Sequence, residues 1–121
     1  MAGEYIRRST RYLHCEMREI RPDRFDPWSR HPGAMKILLD GAGRVLDSAA
    51  FTALVARAQM DARDLVFVIG GADGLPAAWR PRADLLLSLS SMTLPHELAR
   101  VLLAEQIYRA ATTLRGHPYP R

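Results

Sequence analysis

The chain has 121 residues, 48% of them apolar, and its 17 basic and 13 acidic residues give a net charge of +4. This length predicts one domain with a single core, and no apolar run approaches the roughly 18 residues that a membrane span requires. Because Cys15 is the only cysteine and no secretory signal is recognisable, we expect no disulfide within the chain and a cytoplasmic location.

The basic residues are of nearly one kind. Sixteen of the 17 are arginine, and Lys36 is the one lysine. The planar guanidinium fork suits phosphate, which favours an RNA partner. A GC-rich genome would produce the same bias, so the charge permits a polyanionic partner without requiring one.

The first third of the chain is predicted to form a short helix, a strand and a loop. Residues 4–13 have the spacing of a short helix, with Tyr5, Ile6, Tyr12 and Leu13 on one side. Residues 14–20, HCEMREI, alternate as a strand does. Residues 21–33 contain three prolines and one glycine, which predicts a loop that is either plain surface or faces RNA.

The rest of the chain alternates strands and helices. Residues 35–40, 64–71 and 84–90 read as buried strands. Residues 47–59 predict a helix capped by Asp47 or Ser48, and one helical turn is expected around Trp79. A last helix is predicted from Pro95 to Arg115, ended by Gly116 and Pro118.

This order predicts an α/β fold with a mostly parallel sheet and helices on both faces. Ligands of such sheets bind beyond the carboxyl ends of the strands. Three strand ends carry unusual residues, at 39–41, 69–71 and 89–93. Because these ends share one edge of a parallel sheet, we expect them to form a site.

Several kinds of site are excluded because the sequence lacks the motifs that define them. The segment IGGADGLP has no lysine after its glycines, no strand is followed by G-x-G-x-x-G, and no G-x-S-x-G is present. No His, Cys, Asp and Glu cluster has the spacing of metal ligands. A pocket of small residues and backbone groups remains, which suits an uncharged ring such as adenine, although a lone Gly-Gly is more often only a turn.

Three segments in this order and spacing, IGGADGL, LSLSSMTLPHELARVLLAEQIYRA and HPYPR, resemble the ribosomal RNA large subunit methyltransferase H family of the SPOUT class. The resemblance implies a C-terminal trefoil knot and a homodimer that methylates N3 of a pseudouridine in large-subunit ribosomal RNA, on assembled ribosomes. It implies one domain over 1–121, with a variable part at 1–33 and a knotted, cofactor-binding part at 34–121. It implies S-adenosylmethionine contacts at the following matching positions: Leu39, Gly70, Leu89, Ser90, Ser91, Met92, Thr93 and Leu94.

Three residues are the candidates for chemistry. His96 follows the cofactor loop and is expected to contact the substrate or handle the N3 proton, unless it is only a neighbour of the helix cap. Tyr119 is expected to stack on or hydrogen-bond the target base, and Arg121 to hold a phosphate or a ring carbonyl. Arg109 is expected to pair with Glu105 rather than with RNA.

The sequence departs from the family pattern in three places. Pro120 stands where the family has a second histidine in its tail, and residues 21–33 replace a lysine-rich loop. We expect the family's first strand, with its Val-Gly-Lys turn, to be missing and the sheet edge to be less protected. The missing strand and Pro120 leave an alternative function, a catalytically impaired dimer that binds RNA or the cofactor. A third and separate alternative is a flavodoxin-like module that binds a mononucleotide.

Overall fold

The computed structural model describes residues 1–117 and 119. Its elements, in chain order, are α1 (Ala2–Ser9), α2 (Pro27–Arg30), β1 (Met35–Val45), α3 (Ser48–Met60), β2 (Leu65–Val68), a 3₁₀ helix (Ala77–Arg82), β3 (Leu85–Ser88) and α4 (His96–Leu114). Within this part of the chain, none of the helices combines the length and apolar character that crossing a membrane would need.

The three strands form one parallel sheet in the order β2-β1-β3. Met35 lies opposite Leu65 on one side of β1, and Leu39 lies opposite Leu87 on the other. Short parallel strands joined through helices are the arrangement that the alternating pattern predicts. The predicted α/β class is therefore confirmed.

The two faces of the sheet carry separate clusters, because successive side chains of a strand point to opposite faces. Ile37, fully buried, joins Phe51 and Leu103 in the cluster beneath α3 and α4. Leu38, the next residue, packs with Val68 and Trp79 on the other face. Each such buried side chain stabilises the fold by about 1.5–3 kcal/mol.

The helix predicted over 4–13 is confirmed only in its first part. The structure has a helix at Ala2–Ser9, and Thr10 turns its hydroxyl back onto the carbonyl of Arg7 at 2.6 Å. A hydroxyl that bonds its own backbone competes with helix continuation. Tyr12 nevertheless contacts Tyr108 of α4, with ring centres 6.4 Å apart.

Two predictions in the next segment are wrong. Residues 14–20 are not a strand, because they pair with neither β2 nor β3, which are the outer strands of the sheet in the described part of the chain. Ile20 instead packs over the Trp79 cluster. The loop at 21–33 contains the short helix α2, which Pro27 begins and the Asp26 carboxylate caps by accepting from the peptide N–H of Trp28 at 3.0 Å.

The predicted helices and the turn around Trp79 are confirmed, whereas the strand bounds shift. The Asp47 carboxylate caps α3 by accepting from the Ala50 N–H at 2.8 Å, and Pro95 and Arg115 flank α4. Strand β1 runs on to Val45, and both Leu39 and Arg44 lie opposite Leu87.

The four residues 40–43 therefore form a bulge in β1. At its end, a Cβ on Gly43 would lie 2.6 Å from the carbonyl carbon of Leu86. Only glycine allows the two backbones to approach so closely there.

Candidate active site

The carboxyl ends of the three strands lie at one edge of the sheet, because all three strands are parallel and β1 is central. Three residues near these ends pack on the same cluster beneath α3 and α4: Leu39 in β1, directly before the bulge, Ile69 after β2 and Leu89 after β3. We call this place the strand-end edge. The structure thus brings together the three segments that the sequence singles out.

A tight glycine turn shapes the β2 side of the strand-end edge. The Gly74 N–H donates to the Gly71 carbonyl at 3.0 Å, and Gly74 has φ +73°. The turn brings Gly74 back against Gly70, where an added Cβ would lie 2.9 Å from the Gly74 backbone. Gly70 is therefore required by the chain itself, whatever it contacts in a ligand.

An ion pair fixes the β1 side of the same edge. One Asp40 carboxylate oxygen accepts from the Ala42 N–H at 2.8 Å, and the other lies 2.8 Å from Nε of Arg80 in the 3₁₀ helix. This contact ties the bulge at 40–43 to the opposite face of the sheet. Sequence reasoning missed it, because Asp40 and Arg80 are 40 residues apart and neither belongs to a motif.

The loop after β3 uses its own serines to hold its shape. The Ser88 hydroxyl donates to the Ser90 carbonyl at 2.7 Å, and the Ser90 hydroxyl accepts from the Met92 N–H at 2.9 Å. Ser91, Met92 and Thr93 are exposed, with Met92 at 75% of its full exposure. Residues 91–93 are therefore open to solvent beside the strand-end edge, while the Met92 N–H and the Ser90 carbonyl are bonded within the loop itself.

His96 is the first residue of α4 and directly follows this loop. Its side chain is 41% exposed, and its Nε2 lies 3.4 Å from a carboxylate oxygen of Glu97. Pro95 occupies the cap position without a side-chain hydrogen bond. The imidazole is therefore open to solvent next to the predicted cofactor loop.

Tyr119 is anchored to the middle of α4. Its hydroxyl donates to Oε2 of Glu105 at 2.8 Å, and the same oxygen accepts from the Arg109 guanidinium at 2.8 Å. That guanidinium also lies over the Tyr119 ring, 4.4 Å from its centre. The expected Glu105–Arg109 pair is confirmed, although Nε of Arg109 is buried without a hydrogen-bond partner among the described residues.

These surroundings keep the Tyr119 phenol protonated. Burial, followed by the hydrogen bond to Glu105, raises the pKa of Tyr119 to about 12. Both causes act against a phenolate, since burial disfavours charge and Glu105 is itself an acceptor. Tyr119 is thus a neutral hydrogen-bonding group and not a base at ordinary pH.

One chain does not bring His96 and Tyr119 to a single point. Glu105, which holds Tyr119, lies nine residues after His96 on α4, which is about 14 Å along the helix axis. The third candidate, Arg121, and the unusual Pro120 lie outside the described residues.

A cavity of about 300 Å³ opens between the start of α3 and α4, lined partly by Phe51, Leu87 and Leu89. Of the predicted cofactor residues it includes only Leu89. Over residues 1–117 and 119, no three His, Cys, Asp or Glu side chains are grouped so that they could hold a metal ion.

Comparison with known proteins decides the family. The family model described as "Predicted SPOUT methyltransferase" matches residues 1–120. The chain belongs to this SPOUT methyltransferase family. A member called "Ribosomal RNA large subunit methyltransferase H" in Solibacter usitatus is 63% identical over 121 residues, which are all of this chain and 87% of that protein.

Two further SPOUT relatives carry the same name. The protein of Brucella ovis is 56% identical over 90 residues, which are 74% of this chain and 53% of the relative. That of Brucella melitensis is 56% identical over 89 residues, 73% of this chain and 51% of the relative. These matches span about half the length of the Brucella proteins.

Proposed function

We propose that this protein is an S-adenosylmethionine-dependent methyltransferase that acts, as a homodimer in the cytoplasm, on N3 of a pseudouridine in large-subunit ribosomal RNA. The observation that carries the proposal is the strand-end edge, where Leu39, Gly70 and Leu89, three positions at which the family resemblance implies cofactor contacts, lie at the carboxyl side of one parallel sheet. The 63% identity to the Solibacter usitatus protein over the full chain supports the choice of substrate.

The residues at the strand-end edge fit the proposed cofactor. Apolar side chains of Leu39 and Leu89 can pack on an adenine, and those backbone groups of the exposed residues 91–93 that are not bonded within the loop can pair with its edge. We assign cofactor contacts to the positions expected from the sequence, Leu39, Gly70 and the run 89–94. When bound, S-adenosylmethionine supplies an electrophilic methyl group on a sulfonium.

The side chains have to orient the base and manage its N3 proton. His96 is placed to accept that proton, because its imidazole is partly exposed beside the cofactor loop and a ring nitrogen can act as a general base. Tyr119, held neutral by burial and by Glu105, is suited to stack on or hydrogen-bond the base. Arg121 is assigned to a phosphate or ring carbonyl of the substrate.

A homodimer explains why the candidate residues lie apart in one chain. His96 and the anchor of Tyr119 are separated along α4 by about 14 Å, so a second copy can supply one of them to a shared cleft. Exposed apolar side chains support the same interface: Leu98 in the first turn of α4 is 51% exposed, and Met92 in the loop before it is 75% exposed. We propose that the C-terminal chain threads a trefoil knot next to this cleft.

The proposal is tested by methyl transfer to ribosomes. Purified protein is incubated with tritiated S-adenosylmethionine and with ribosomes from a strain that lacks this modification, and the product nucleoside is identified by mass spectrometry. We expect one saturable cofactor site per chain by calorimetry and a label at N3 of pseudouridine. Cofactor binding with no label on any RNA would reject the enzyme and favour the catalytically impaired alternative.

A further inference from the structure

A second candidate site lies on the other face of the sheet. A cavity of about 420 Å³ opens between residues 22–30 and the 3₁₀ helix, and we call it the arginine–aromatic cavity. Its lining includes the cationic residues Arg24, Arg30 and Arg82 and the aromatic residues Phe25 and Trp79. None of its lining residues is a proposed cofactor or catalytic residue.

Two arginines that line the cavity, Arg24 and Arg30, are available to bind an anion. Two carboxylates, Asp23 and Asp26, also line it. Asp23 lies 3.6 Å from Arg21, and Asp26 caps α2 and lies 3.9 Å from Arg82. Among residues 1–117 and 119, neither Arg24 nor Arg30 has a carboxylate within 4.0 Å. Both side chains belong to exposed residues.

Flat groups are held in fixed orientations around the same cavity. The Arg82 guanidinium lies over the Trp28 ring, 4.1 Å from its centre, and the Trp28 Nε1–H donates to the Arg82 carbonyl at 3.2 Å. Trp28 in turn meets Trp79 edge to face, with centres 5.6 Å apart. This packing orders Arg82 before any ligand arrives, which lowers the entropy lost on binding.

Phe25 adds an aromatic platform to the lining of the cavity. Its ring is half-buried, with the His31 ring 6.0 Å away and the Arg30 guanidinium 5.8 Å from its centre. A base of single-stranded RNA stacks on aromatic rings and guanidinium planes, while arginines bind its phosphates. An acidic peptide would use the arginines but not the platform.

We propose that the arginine–aromatic cavity binds a single-stranded nucleotide of RNA, with Phe25 stacked on the base and Arg24 and Arg30 on the phosphates. The identity of that RNA as the substrate rests on the proposed function. The 3₁₀ helix connects the two sites, because Arg80 pairs with Asp40 at the strand-end edge and Arg82 lines the cavity. The cavity therefore binds the substrate RNA at a nucleotide other than the one that is modified.

The test measures binding of a fluorescein-labelled stem-loop RNA by anisotropy at several salt concentrations. We expect Phe25→Ala to raise Kd about tenfold, the effect of one lost base stack. The double variant Arg24→Gln/Arg30→Gln should raise Kd and lower the slope of log K against log salt by about 1.4, for two lost phosphate contacts on a single strand. Arg57→Gln, an exposed arginine on α3, is the matched control and should leave Kd unchanged.

The proposal is overturned if the arginine variant weakens binding but Phe25→Ala does not, since the surface would then be electrostatic only. It is equally overturned if a polyglutamate peptide displaces the RNA as well as a single-stranded RNA of equal charge does. Calorimetry with S-adenosylmethionine and thermal unfolding verify that each variant is folded. If the wild-type protein binds RNA through these residues but does not methylate ribosomes, the proposed methyltransferase function is rejected and the proposed RNA site in the cavity stands.

Discussion

At the scale of single residues, His96 carries the proposed chemistry. Its imidazole is exposed at the start of α4, beside the loop that precedes it. We expect His96→Gln to lower the rate of methyl transfer about 100-fold, the usual contribution of a general base. The affinity for S-adenosylmethionine, measured by calorimetry, should not change, because the glutamine keeps a similar size and polarity.

His14→Gln is the matched control, because His14 is also exposed but lies far along the chain from α4. An equal loss of rate in both variants, or a loss of cofactor affinity in His96→Gln, would contradict the assignment.

Tyr119 predicts a change in stability at alkaline pH. An unfolded tyrosine has a pKa near 10, whereas burial and Glu105 raise the pKa of folded Tyr119 to about 12. The folded state therefore holds this proton more tightly, so its contribution is complete below pH 10 and is lost as pH rises through 12. Tyr119→Phe should make the urea midpoint less sensitive to pH between about 10 and 12.

Spectrophotometric titration provides the direct measurement for the same residue. The chain has four tyrosines, and Tyr119→Phe should remove a phenol that titrates well above the usual range of tyrosine. Burial and the Glu105 hydrogen bond raise the pKa of Tyr119, whereas the Arg109 guanidinium acts in the opposite direction. Loss of a phenol that titrates in the ordinary range would show that Tyr119 is not anchored as described.

Residue pairs were predictable from the sequence only where they are local. Glu105 and Arg109 are four apart on a helix, and spacing alone brings such side chains together. Asp40 and Arg80 are joined only because β1 and the 3₁₀ helix pack across the sheet. No periodic pattern in the sequence predicts that contact, which could be identified only from the three-dimensional structure.

At the scale of elements, the glycine turn after β2 makes a sharp prediction. In Gly70→Ala the new Cβ would lie 2.9 Å from the Gly74 backbone. Backbone does not move aside easily, so we expect a loss of about 1–3 kcal/mol in the free energy of unfolding and weaker binding of S-adenosylmethionine. Urea denaturation and calorimetry measure the two effects.

Gly71→Ala is the adjacent control, because nothing lies within 4 Å of its added Cβ and its φ is not positive. It should cost less than Gly70→Ala by both measurements. Similar losses in the two variants would mean that the close approach of Gly70 to Gly74 does not limit this turn.

A helix could be predicted from the sequence where its own residues carry the spacing, the cap and the end residues that define it. Helix α3 has its apolar spacing and its Asp47 cap within one segment, and α4 is bounded by Pro95 and Gly116. The alternation at 14–20 is just as regular, yet this segment pairs with neither outer strand of the sheet, and Ile20 packs against the Trp79 cluster instead. Whether a segment pairs depends on how the whole chain packs, which cannot be read from that segment alone.

At the scale of the whole molecule, the parallel sheet of order β2-β1-β3 places three segments that are distant in the sequence at one edge. The sequence predicts that convergence because strands alternate with helices, and parallel strands end on the same side. It does not predict the arginine–aromatic cavity, whose walls come from residues 22–30 and from the 3₁₀ helix some 50 residues later. Those walls meet only because both cover the face that Leu38 and Trp79 occupy.

The separation of His96 from Tyr119 makes a prediction about the assembled dimer. If the cleft takes His96 from one subunit and Tyr119 from its partner, a mixed dimer of His96→Gln and Tyr119→Phe chains has one intact site. Random pairing makes half of the dimers mixed, so co-expression of the two inactive chains should restore about a quarter of wild-type methyl transfer. Each variant expressed alone provides the baseline.

A cleft built within one subunit gives the opposite result, because every site in a mixed dimer would then carry one of the two substitutions. Tandem affinity tags isolate the mixed species, which removes dilution by the parent dimers. Its rate should be about half that of wild type if the sites are shared and no higher than the baseline if they are not. About 14 Å of helix between His96 and the Glu105 anchor favours the shared cleft, since neither side chain alone spans that distance.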